Sequence, residues 1–304
     1  KNPIKVEKMP EKQVTLNVWQ QKACEKIGES MEKMEGKTHL LYGVTGSGKT
    51  EVYMELIART LAMGKQAIVL IPEISLTYQT VMRFYHRFGA AVAIMHSRLS
   101  QGERYDQMKR AREGSISIMI GPRSALFTPF SDLGLIIMDE EQEGAYKSET
   151  VPKYHARETA VARAAICRAT VVLGSATPSV NAYYRAMQGE YVLHTLPQRA
   201  TMQSLAETEI VDLREELKAK NKSVFSRRLQ ELIAQRLERK EQIILFINRR
   251  GYAGFVSCRS CGDAIGCPHC AVSLTAHKEQ GQTKLVCHYC GYTILMPERC
   301  PSCG

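Results

Sequence analysis

The sequence predicts an α/β protein built on a doubly wound parallel sheet, followed by a small metal-binding module. Short, almost continuously apolar runs alternate with helical stretches as far as about Leu196. That alternation is typical of strands buried on both faces and joined by crossover helices. A glycine-rich phosphate-binding pattern follows the first run. Eight of the ten cysteines lie between Cys258 and Cys303, all in Cys-x-x-Cys pairs.

The composition limits the classes of protein that the chain resembles. Its 304 residues suggest two or three domains, and 44% hydrophobic residues supply a sizeable core. The formal charge of +10 favours a nucleic-acid partner, with a merely solvated basic surface as the alternative. No export signal opens the chain and no apolar run is long enough to span a bilayer, so we expect a cytoplasmic protein without a membrane partner. The first residue is not Met, which indicates a processed or excised piece.

The elements of the first domain follow in order along residues 16–197. Residues 1–15 are polar and are predicted to form a linker or tail. A helical pattern covers Leu16 to Met34. Predicted strands then lie at residues 39–43, 66–72, 91–97, 115–121, 134–141 and 169–178. The lone Cys24 and Cys167 fall in apolar-periodic stretches and are interpreted as small buried hydrophobic residues.

The remaining chain predicts a second, incomplete unit and the cysteine-rich module. Residues 198–224 are polar and are interpreted as a linker. Phe225 to Lys240 predicts a basic amphipathic helix, and EQIILFINRRG at 241–251 a buried strand. Together they look like the opening of another α/β domain over residues 225–254, which the module at 255–304 interrupts.

The first chemical motif is a P-loop of the form G-x-x-x-x-G-K-[ST], which predicts a phosphate-binding site for ATP. Glycines let backbone N–H groups approach phosphate oxygens, and the following helix offers its amino-terminal dipole. Lys49 would reach the β- and γ-phosphates and Thr50 would hold Mg²⁺. The predicted ATP-binding residues of the loop are Gly43, Val44, Thr45, Gly46, Ser47, Gly48, Lys49 and Thr50.

Two further motifs follow buried strands. Asp139 and Glu140 end an apolar run, so Asp139 is a candidate Mg²⁺ ligand and Glu140 a candidate to position or activate water. With Lys49 they form the predicted catalytic set. Ser175 and Thr177, in GSATP, follow the next strand and are candidates to relay the nucleotide state. An ordinary acidic loop is the alternative for the first motif, and ordinary strand ends for the second.

The cysteine pairs predict two structural Cys₄ zinc sites, because closed tetrahedral sites leave no position for a substrate. Sixteen residues separate the two inner pairs and include a polar KEQGQ turn, which indicates a zinc-ribbon hairpin. The outer pairs then share the second ion, although an interleaved pairing remains open. The predicted ligand sets are Cys258, Cys261, Cys300 and Cys303 for one ion, and Cys267, Cys270, Cys287 and Cys290 for the other.

These motifs in this order resemble superfamily 2 helicases, and more closely the PriA family of replication restart helicases (primosomal protein N′). The resemblance runs from about Leu16 to the last residue. It is carried by these strings: GVTGSGKTEVY at 43–53, IPEISLTYQ at 71–79, HSRLSQGER at 96–104, GPRSALFTPF at 121–130, DEEQ at 139–142, YHAR at 154–157, GSATPS at 174–179 and FINRRGY at 246–252.

The resemblance implies a RecA-like fold and further site residues. Gln20 would read the adenine. Tyr146 to Arg157 resembles the aromatic-rich loop that couples DNA binding to ATP hydrolysis. The family's box usually ends in His where Gln142 stands; since glutamine also donates and accepts hydrogen bonds, a coupling role is expected for Gln142, as for Ser175 and Thr177. The residues expected to face single-stranded DNA are Pro72, Glu73, His96, Ser97, Arg123, Ser124, Tyr146, Lys147, Tyr154, His155 and Arg157. From residue types alone, rings that pack the domain surface are the preferred alternative to base stacking.

The function implied is an ATP-dependent DNA helicase, 3′ to 5′, that recognises stalled forks and initiates primosome assembly. Expected partners are single-stranded and forked DNA, primosome and helicase-loading proteins, and single-stranded DNA-binding protein, and a monomer is expected. The family's amino-terminal DNA-binding region and most of its second motor domain, with the arginine finger, are not found here, so we expect a fragment with weak or no turnover. An RNA helicase and a zinc-dependent binding module with a vestigial P-loop are the alternatives.

Overall fold

The computed structural model describes residues 15–200, 206–221, 223–246, 256–258, 260–279 and 281–304. The chain divides into two units, residues 1–205 and 206–304, and each is described by itself. Residues 1–14 of the predicted tail and residues 247–254 of the predicted second α/β unit lie outside the described residues.

A seven-stranded, wholly parallel sheet forms the centre of the first unit. Its order is β3-β4-β2-β5-β6-β1-β7, which is the predicted doubly wound arrangement. The strands are β1 (Thr38–Gly43), β2 (Gln66–Leu70), β3 (Val92–Ile94), β4 (Ile118–Gly121), β5 (Leu133–Asp139), β6 (Thr170–Ser175) and β7 (Val192–Leu196). All six predicted strands are present.

The seventh strand, β7, was not predicted, because it is an edge strand. It pairs only with β1, with Val192 opposite His39. Val192 and Leu193 are half-buried and Thr195 is exposed, so the strand lacks the continuous apolar run that marks a strand covered on both faces. A strand at the edge of a sheet can carry polar residues, so the continuous apolar run that predicts a buried strand is missing from this part of the sequence.

Helices cover both faces of the sheet. They are α1 (Val18–Glu32), α2 (Lys49–Ala62), α3 (Tyr78–Phe88), α4 (Gln101–Arg112), α5 (Ala156–Cys167) and α6 (Val180–Met187). Side chains of β2 alternate between two cores: Ala67 and Val69 pack with α1, α2 and α3, whereas Ile68 and Leu70 pack with alanines of α4, α5 and α6. Cys24 is buried in the first core, and Cys167 is half-buried against the second.

The start of α1 is fixed by a capping box. The Asn17 side chain accepts a hydrogen bond from the Gln20 backbone N–H, and the Gln20 side chain accepts one from the Asn17 backbone N–H. This reciprocal pair satisfies two amide donors that the helix itself leaves unpaired. The cap also holds the Gln20 side chain in place at the sheet edge where the P-loop lies.

The described part of the second unit contains two helices and a small antiparallel sheet of order β10-β9-β8. Its elements are α7 (Leu213–Lys218), α8 (Arg227–Glu238), β8 (Thr275–Glu279), β9 (Gln282–Val286) and β10 (Thr293–Leu295). The hairpin β8–β9 is the predicted zinc-ribbon hairpin, and α8 is the predicted basic helix. The predicted linker at 198–224 contains α7, which its polar composition concealed.

The predicted buried strand at 241–251 is wrong over its described part. Residues 241–246 form no strand, and Ile244 and Phe246 are 93% and 84% exposed. An apolar run becomes a buried strand only where neighbouring strands pair with it, and no described residue of this unit does so. Among the described residues of the whole chain, no helix combines the length and apolar character that crossing a membrane requires.

A buried histidine pair joins β1 to β7 and makes the first unit sensitive to acid. His39 Nδ1 lies 2.9 Å from His194 Nε2, and burial lowers the pKa of His39 to about 3 and of His194 to about 4. The unfolded chain, with histidine pKa values of about 6.5, takes up protons first on acidification. The contribution of this pair to stability should therefore be constant above about pH 7 and should fall as the pH drops from about 6.5 towards 4.

Urea unfolding followed by the fluorescence of Trp19, the single tryptophan, would measure this loss in the first unit. The double variant His39→Gln/His194→Gln should be less stable at pH 7.5 but should lose less stability between pH 7.5 and 5. His86→Gln, on the exposed face of α3, is the matched control and should keep the slope of the unsubstituted chain. Equal slopes in all three proteins would contradict the assignment.

Candidate functional site

The three predicted nucleotide motifs meet at one edge of the sheet. The P-loop follows β1, Asp139 ends β5 and Ser175 ends β6. Since β6 lies between β5 and β1, and parallel strands have their carboxyl ends at the same edge, segments about ninety residues apart in the chain become neighbours. The order of the strands, rather than the order of the chain, assembles the site.

The P-loop forms an open cradle of backbone groups. Gly46 and Gly48 have φ of 79° and 78°, the left-handed region that favours glycine. A side chain at Gly48 would also collide with the amide of Gln20. The Ser47 hydroxyl is buried without a hydrogen-bond partner in the described structure, and Lys49 Nζ donates to Gly43 O at 3.0 Å. An unpaired hydroxyl, a lysine and left-handed glycines fit a bound phosphate chain.

Gln20 holds the P-loop from the side of α1. Its Nε2 donates to Ser47 O at 2.9 Å and lies 3.4 Å from Gly48 O, and its side chain is buried. The residue is therefore next to the nucleotide cradle and fixes its backbone. The contact with adenine implied by the resemblance stays a prediction.

Asp139 is held by the hydroxyl of Tyr53. Tyr53, one helical turn after Lys49 in α2, is buried and donates to Asp139 Oδ1 at 2.8 Å. A Cβ at position 174 would collide with that hydroxyl, so Gly174 of β6 makes room for it. Burial raises the pKa of the Asp139 carboxyl, and the hydrogen bond from Tyr53 opposes that rise. A bound Mg²⁺ would favour the charged carboxylate in the same way.

Glu140 and the next motif are joined by the amide of Gln142. Gln142 Nε2 donates to Glu140 Oε2 at 2.9 Å, and Gln142 Oε1 accepts from the Ser175 hydroxyl at 2.6 Å. Ser175 Oγ in turn accepts from the Thr177 N–H at 2.9 Å. The substituted glutamine therefore bridges the two motifs, since an amide both donates and accepts. Glu140 itself has φ of 48°, a strained conformation typical of functional turns.

Beside the nucleotide motifs, a cavity of about 290 Å³ lies at the carboxyl ends of β2, β3 and β4. It is lined by Pro72, Glu73, His96, Ser97, Arg104, Pro122, Arg123, Ser124, Ala145 and Tyr146. The structure thus brings together seven residues that the resemblance assigned to DNA contact, from four separate stretches of chain. Pro72 is buried, whereas Glu73, Ser97 and Ser124 are exposed.

Charged groups in this cavity are fixed by backbone groups of its loops. Arg123 donates to Ala145 O at 2.9 Å and to Lys147 O at 2.8 Å, and Arg104 donates to Ser97 O at 2.6 Å. Hydrogen bonds from the hydroxyl and the N–H of Ser97 lower the pKa of Glu73. Each arginine keeps further N–H donors, so both suit phosphate oxygens.

Two residues that were predicted to contact DNA, Tyr146 and Arg157, are buried. Tyr146 is buried, and its hydroxyl lies 2.6 Å from Asp139 O and 3.0 Å from Leu70 O. Its ring packs in the core, and its contact with DNA stays a prediction. Arg157 is buried in an ion pair, 3.0 Å from Glu141 Oε2. A buried carboxylate requires a paired cation, and this requirement explains the arginine.

The other predicted members of this loop lie at the surface or near it. Lys147 is exposed. Tyr154 is half-buried with its ring edge-to-face against Phe127. His155 caps α5 by accepting from the Arg157 N–H, and burial lowers its pKa. Their contact with DNA stays a prediction.

The cysteines form two separate clusters with the predicted nested membership. Within them the sulfurs of Cys258 and Cys303, and of Cys261 and Cys300, are 3.7 Å apart. Tetrahedral zinc with Zn–S bonds of about 2.3 Å separates sulfurs by about 3.8 Å. The backbone N–H groups of Cys261 and Ser260 lower the pKa of Cys258 to about 6, which favours the thiolate that zinc binds.

The inner cluster has the same character. The Cys267 and Cys290 sulfurs are 3.5 Å apart. The N–H groups of Cys290 and Tyr289 lower the pKa of Cys287 to about 7. Both clusters therefore fit closed, structural zinc sites, and the interleaved pairing is excluded.

Comparison with known proteins agrees with this geometry. The family model for DEAD/DEAH box helicases matches residues 17–186, more than half of the chain. The chain belongs to the DEAD/DEAH box helicase family. A second model, for the Cys-rich region of the PriA DNA helicase, matches residues 267–294.

Relatives of this helicase chain include replication restart proteins. The chain is 49% identical over 285 residues to the replication restart protein PriA of Bacillus subtilis, covering 94% of this chain and 35% of the relative. It is 46% identical to that of Chlamydia pneumoniae, covering 95% of this chain and 39% of the relative. The chain thus spans about a third of the length of these relatives. A solved structure of RecG bound to a three-way DNA junction is 21% identical, with a TM-score of 0.45, over 68% of this chain and 28% of that one.

Two residues of the helicase site were missed by sequence reasoning. Tyr53 lies four residues after Lys49, on the same side of α2, and its position in an apolar helix near a P-loop is a usable signal. Arg104 lies in the HSRLSQGER string, but its distance from the strand ends gave no reason to place it in the cavity.

Removing the Tyr53 hydroxyl should weaken the magnesium site. In Tyr53→Phe we expect nucleotide affinity in EDTA to be unchanged, and the gain in ATP affinity on adding Mg²⁺ to fall roughly tenfold. A hydrogen bond to a charged group contributes about 1.5 kcal/mol. Titrating fluorescent ATP with and without Mg²⁺ measures the effect. Tyr105→Phe, at an exposed tyrosine of the same unit, is the control, and an equal Mg²⁺ response in all three proteins would refute the role.

Metal analysis should return two zinc ions per chain. Cys261→Ser and Cys290→Ser should each reduce the content to about one, because three ligands bind zinc far more weakly than four. Cys167→Ser, outside both clusters, should retain two. Strong chelation should unfold the ribbon sheet but leave the first unit folded, as followed by circular dichroism and Trp19 fluorescence. One zinc ion or none in the unsubstituted chain would overturn the two-site assignment.

Proposed function

We propose that this chain forms the first motor domain and zinc module of an ATP-dependent DNA helicase that acts in replication restart. The proposal rests on one observation: two groups of residues, the nucleotide motifs and the candidate DNA-binding residues, share the carboxyl-terminal edge of a single sheet. The nucleotide motifs lie at β5, β6 and β1, and the cavity of candidate DNA-binding residues lies at β2, β3 and β4. The two halves meet where β2 pairs with β5.

The nucleotide half suits Mg²⁺-ATP. Lys49 and the P-loop N–H groups would bind the β- and γ-phosphates, and Thr50 and Asp139 would hold the ion, which neutralises charge on the phosphates. Glu140, oriented by Gln142, would accept a hydrogen bond from the attacking water. The amide bridge to Ser175 and Thr177 would carry the state of that carboxylate to the next motif.

A chain of hydrogen bonds supports coupling between the two halves. Arg123 holds the carbonyls of Ala145 and Lys147, which flank Tyr146. The Tyr146 hydroxyl in turn bonds the backbone carbonyl of Asp139. A DNA phosphate that engaged Arg123 would compete for its donors and act on the position of Asp139. In this form the loop from Tyr146 to Arg157 couples DNA binding to hydrolysis through a buried hydroxyl rather than through stacking by Tyr146.

The remaining parts of the proposal come from the resemblance to the replication restart relatives. Single-stranded and forked DNA are the proposed substrates, translocation is 3′ to 5′, and the chain is a cytoplasmic monomer. Primosome and helicase-loading proteins and single-stranded DNA-binding protein are the proposed partners. The zinc module, with two structural ions, would provide a docking surface for DNA or for these proteins.

The DNA half is tested by binding a fluorescein-labelled 20-nucleotide single strand, followed by anisotropy at several salt concentrations. Arg104→Ala should weaken binding severalfold and reduce the slope of log K against log salt by about 0.7, the value for one lost phosphate contact on single strands. Arg112→Ala removes the same charge from the far end of α4 and should leave both quantities unchanged.

The motor assignment is tested by ATP turnover of the full-length polypeptide with forked DNA, single-stranded DNA and RNA. Forked DNA should stimulate turnover most, and Lys49→Ala should abolish it. Stronger stimulation by RNA would favour an RNA helicase. If Lys49→Ala left every activity unchanged, the P-loop would be vestigial and the proposal would fail.

A further inference from the structure

The segment that follows β7 crosses the P-loop. Val44 N donates to Leu196 O at 3.2 Å, and Ala200 N donates to Gly46 O at 2.9 Å. The Leu196–Ala200 segment is therefore hydrogen-bonded at both ends to the backbone of the phosphate-binding loop. It leads out of the first unit's sheet. This segment belongs to none of the three nucleotide motifs at residues 43–50, 139–142 and 175–177.

Within this segment, the side chain of Arg199 lies over the apex of the P-loop. Its Cγ and Cδ stand 3.8 and 3.9 Å from the position that a Cβ on Gly46 would take. Gly46 has a left-handed backbone, so no side chain of its own separates the arginine from the loop. The aliphatic stem of Arg199 therefore lies beside Gly46, at a distance that would put it in van der Waals contact with a Cβ at that position.

The Arg199 side chain carries a buried hydrogen-bond donor that lacks an acceptor among the described residues. Arg199 Nε is buried and has no hydrogen-bond partner in the described structure. No described carboxylate forms an ion pair with Arg199. An unpaired buried donor costs about 1–3 kcal/mol, more when it is charged, so such a group is retained where a ligand satisfies it. The Ser47 hydroxyl, in the same loop, is likewise buried and unpaired.

We propose that Arg199 is a nucleotide-binding residue whose guanidinium donates to a phosphate oxygen of the ATP or ADP held by the P-loop. Phosphate is the acceptor that a guanidinium fork matches best, and the cradle beside it is shaped for phosphates. This inference rests on the proposed function, in which the P-loop binds nucleotide. It adds that the segment after β7 would be ordered by the nucleotide.

The test compares the unsubstituted chain with Arg199→Ala, Arg199→Lys, Lys49→Ala and Arg112→Ala. The affinity for a fluorescent ADP analogue is measured, with ATP and ADP as competitors, and the binding of adenosine is measured by NMR. Arg199→Ala should weaken ATP and ADP binding about tenfold and leave adenosine binding unchanged, since adenosine has no phosphate. Arg199→Lys should recover part of the loss, because it keeps the charge without the fork. Arg112→Ala should bind as the unsubstituted chain does.

Two further readouts separate binding from a structural role. The melting temperature without nucleotide, followed by Trp19, should be the same in Arg199→Ala and the unsubstituted chain. Nucleotide should slow hydrogen exchange of residues 197–200 in the unsubstituted chain and do so less in Arg199→Ala. A lowered melting temperature in Arg199→Ala, or an equal loss of adenosine binding, would assign Arg199 to the fold and overturn the inference.

The inference and the proposed function fail in different ways. If Arg199→Ala binds ATP and ADP as the unsubstituted chain does while Lys49→Ala does not bind them, Arg199 has no part in binding and the P-loop assignment stands. If the unsubstituted chain binds neither nucleotide, the proposed function is refuted and the inference with it.

Discussion

The site depends on the parallel pairing of β2, β5, β6 and β1. Parallel strands have their carboxyl ends at a single edge, so each strand delivers its terminal motif to the same side of the sheet. Residues 43–50, 139–142 and 175–177 are far apart in the chain and become neighbours only through this pairing. The contacts of Tyr53 with Asp139 and of Gln142 with Ser175 presuppose it. A register shift of β6 by one residue would remove both Gly174 from Tyr53 and Ser175 from Gln142.

Asp139 is hydrogen-bonded from both halves of this edge. Its carboxylate receives the hydroxyl of Tyr53 from the nucleotide side, and its backbone carbonyl receives the hydroxyl of Tyr146 from the cavity side. Both tyrosines are buried, so the two hydrogen bonds act where water does not compete. The strained backbone of Glu140 follows directly. In the proposed function, a displacement of either tyrosine would therefore shift Asp139, the residue that would hold the ion.

The two units obtain stability by different means. The first has two extensive apolar cores, one on each face of its sheet. In the described part of the second, the buried core is Leu274, Ala276, Leu285 and two of the cysteines themselves. Such a core is too small to hold a fold, so the metal must supply most of the folding free energy.

The sequence alone determined the parallel sheet, the P-loop, the acidic box and the four Cys-x-x-Cys pairs, because each leaves a local signal: a buried apolar run, a fixed glycine spacing or a repeated Cys-x-x-Cys. The structure decided that the cysteine pairs are nested rather than interleaved. Tertiary structure alone decided which polar residues face a ligand. Tyr146 and Arg157 were predicted to lie at the surface, but both are buried. The Tyr146 hydroxyl donates to the Asp139 backbone carbonyl, and the Arg157 guanidinium pairs with the Glu141 carboxylate. Arg104 and Arg199 gave no such signal, and Tyr53 gave one only through its spacing from Lys49. The strand β7 was not predicted because an edge strand needs no continuous apolar run. A side chain's partner depends on strand order and register, which connect residues across long stretches of chain that no local pattern spans.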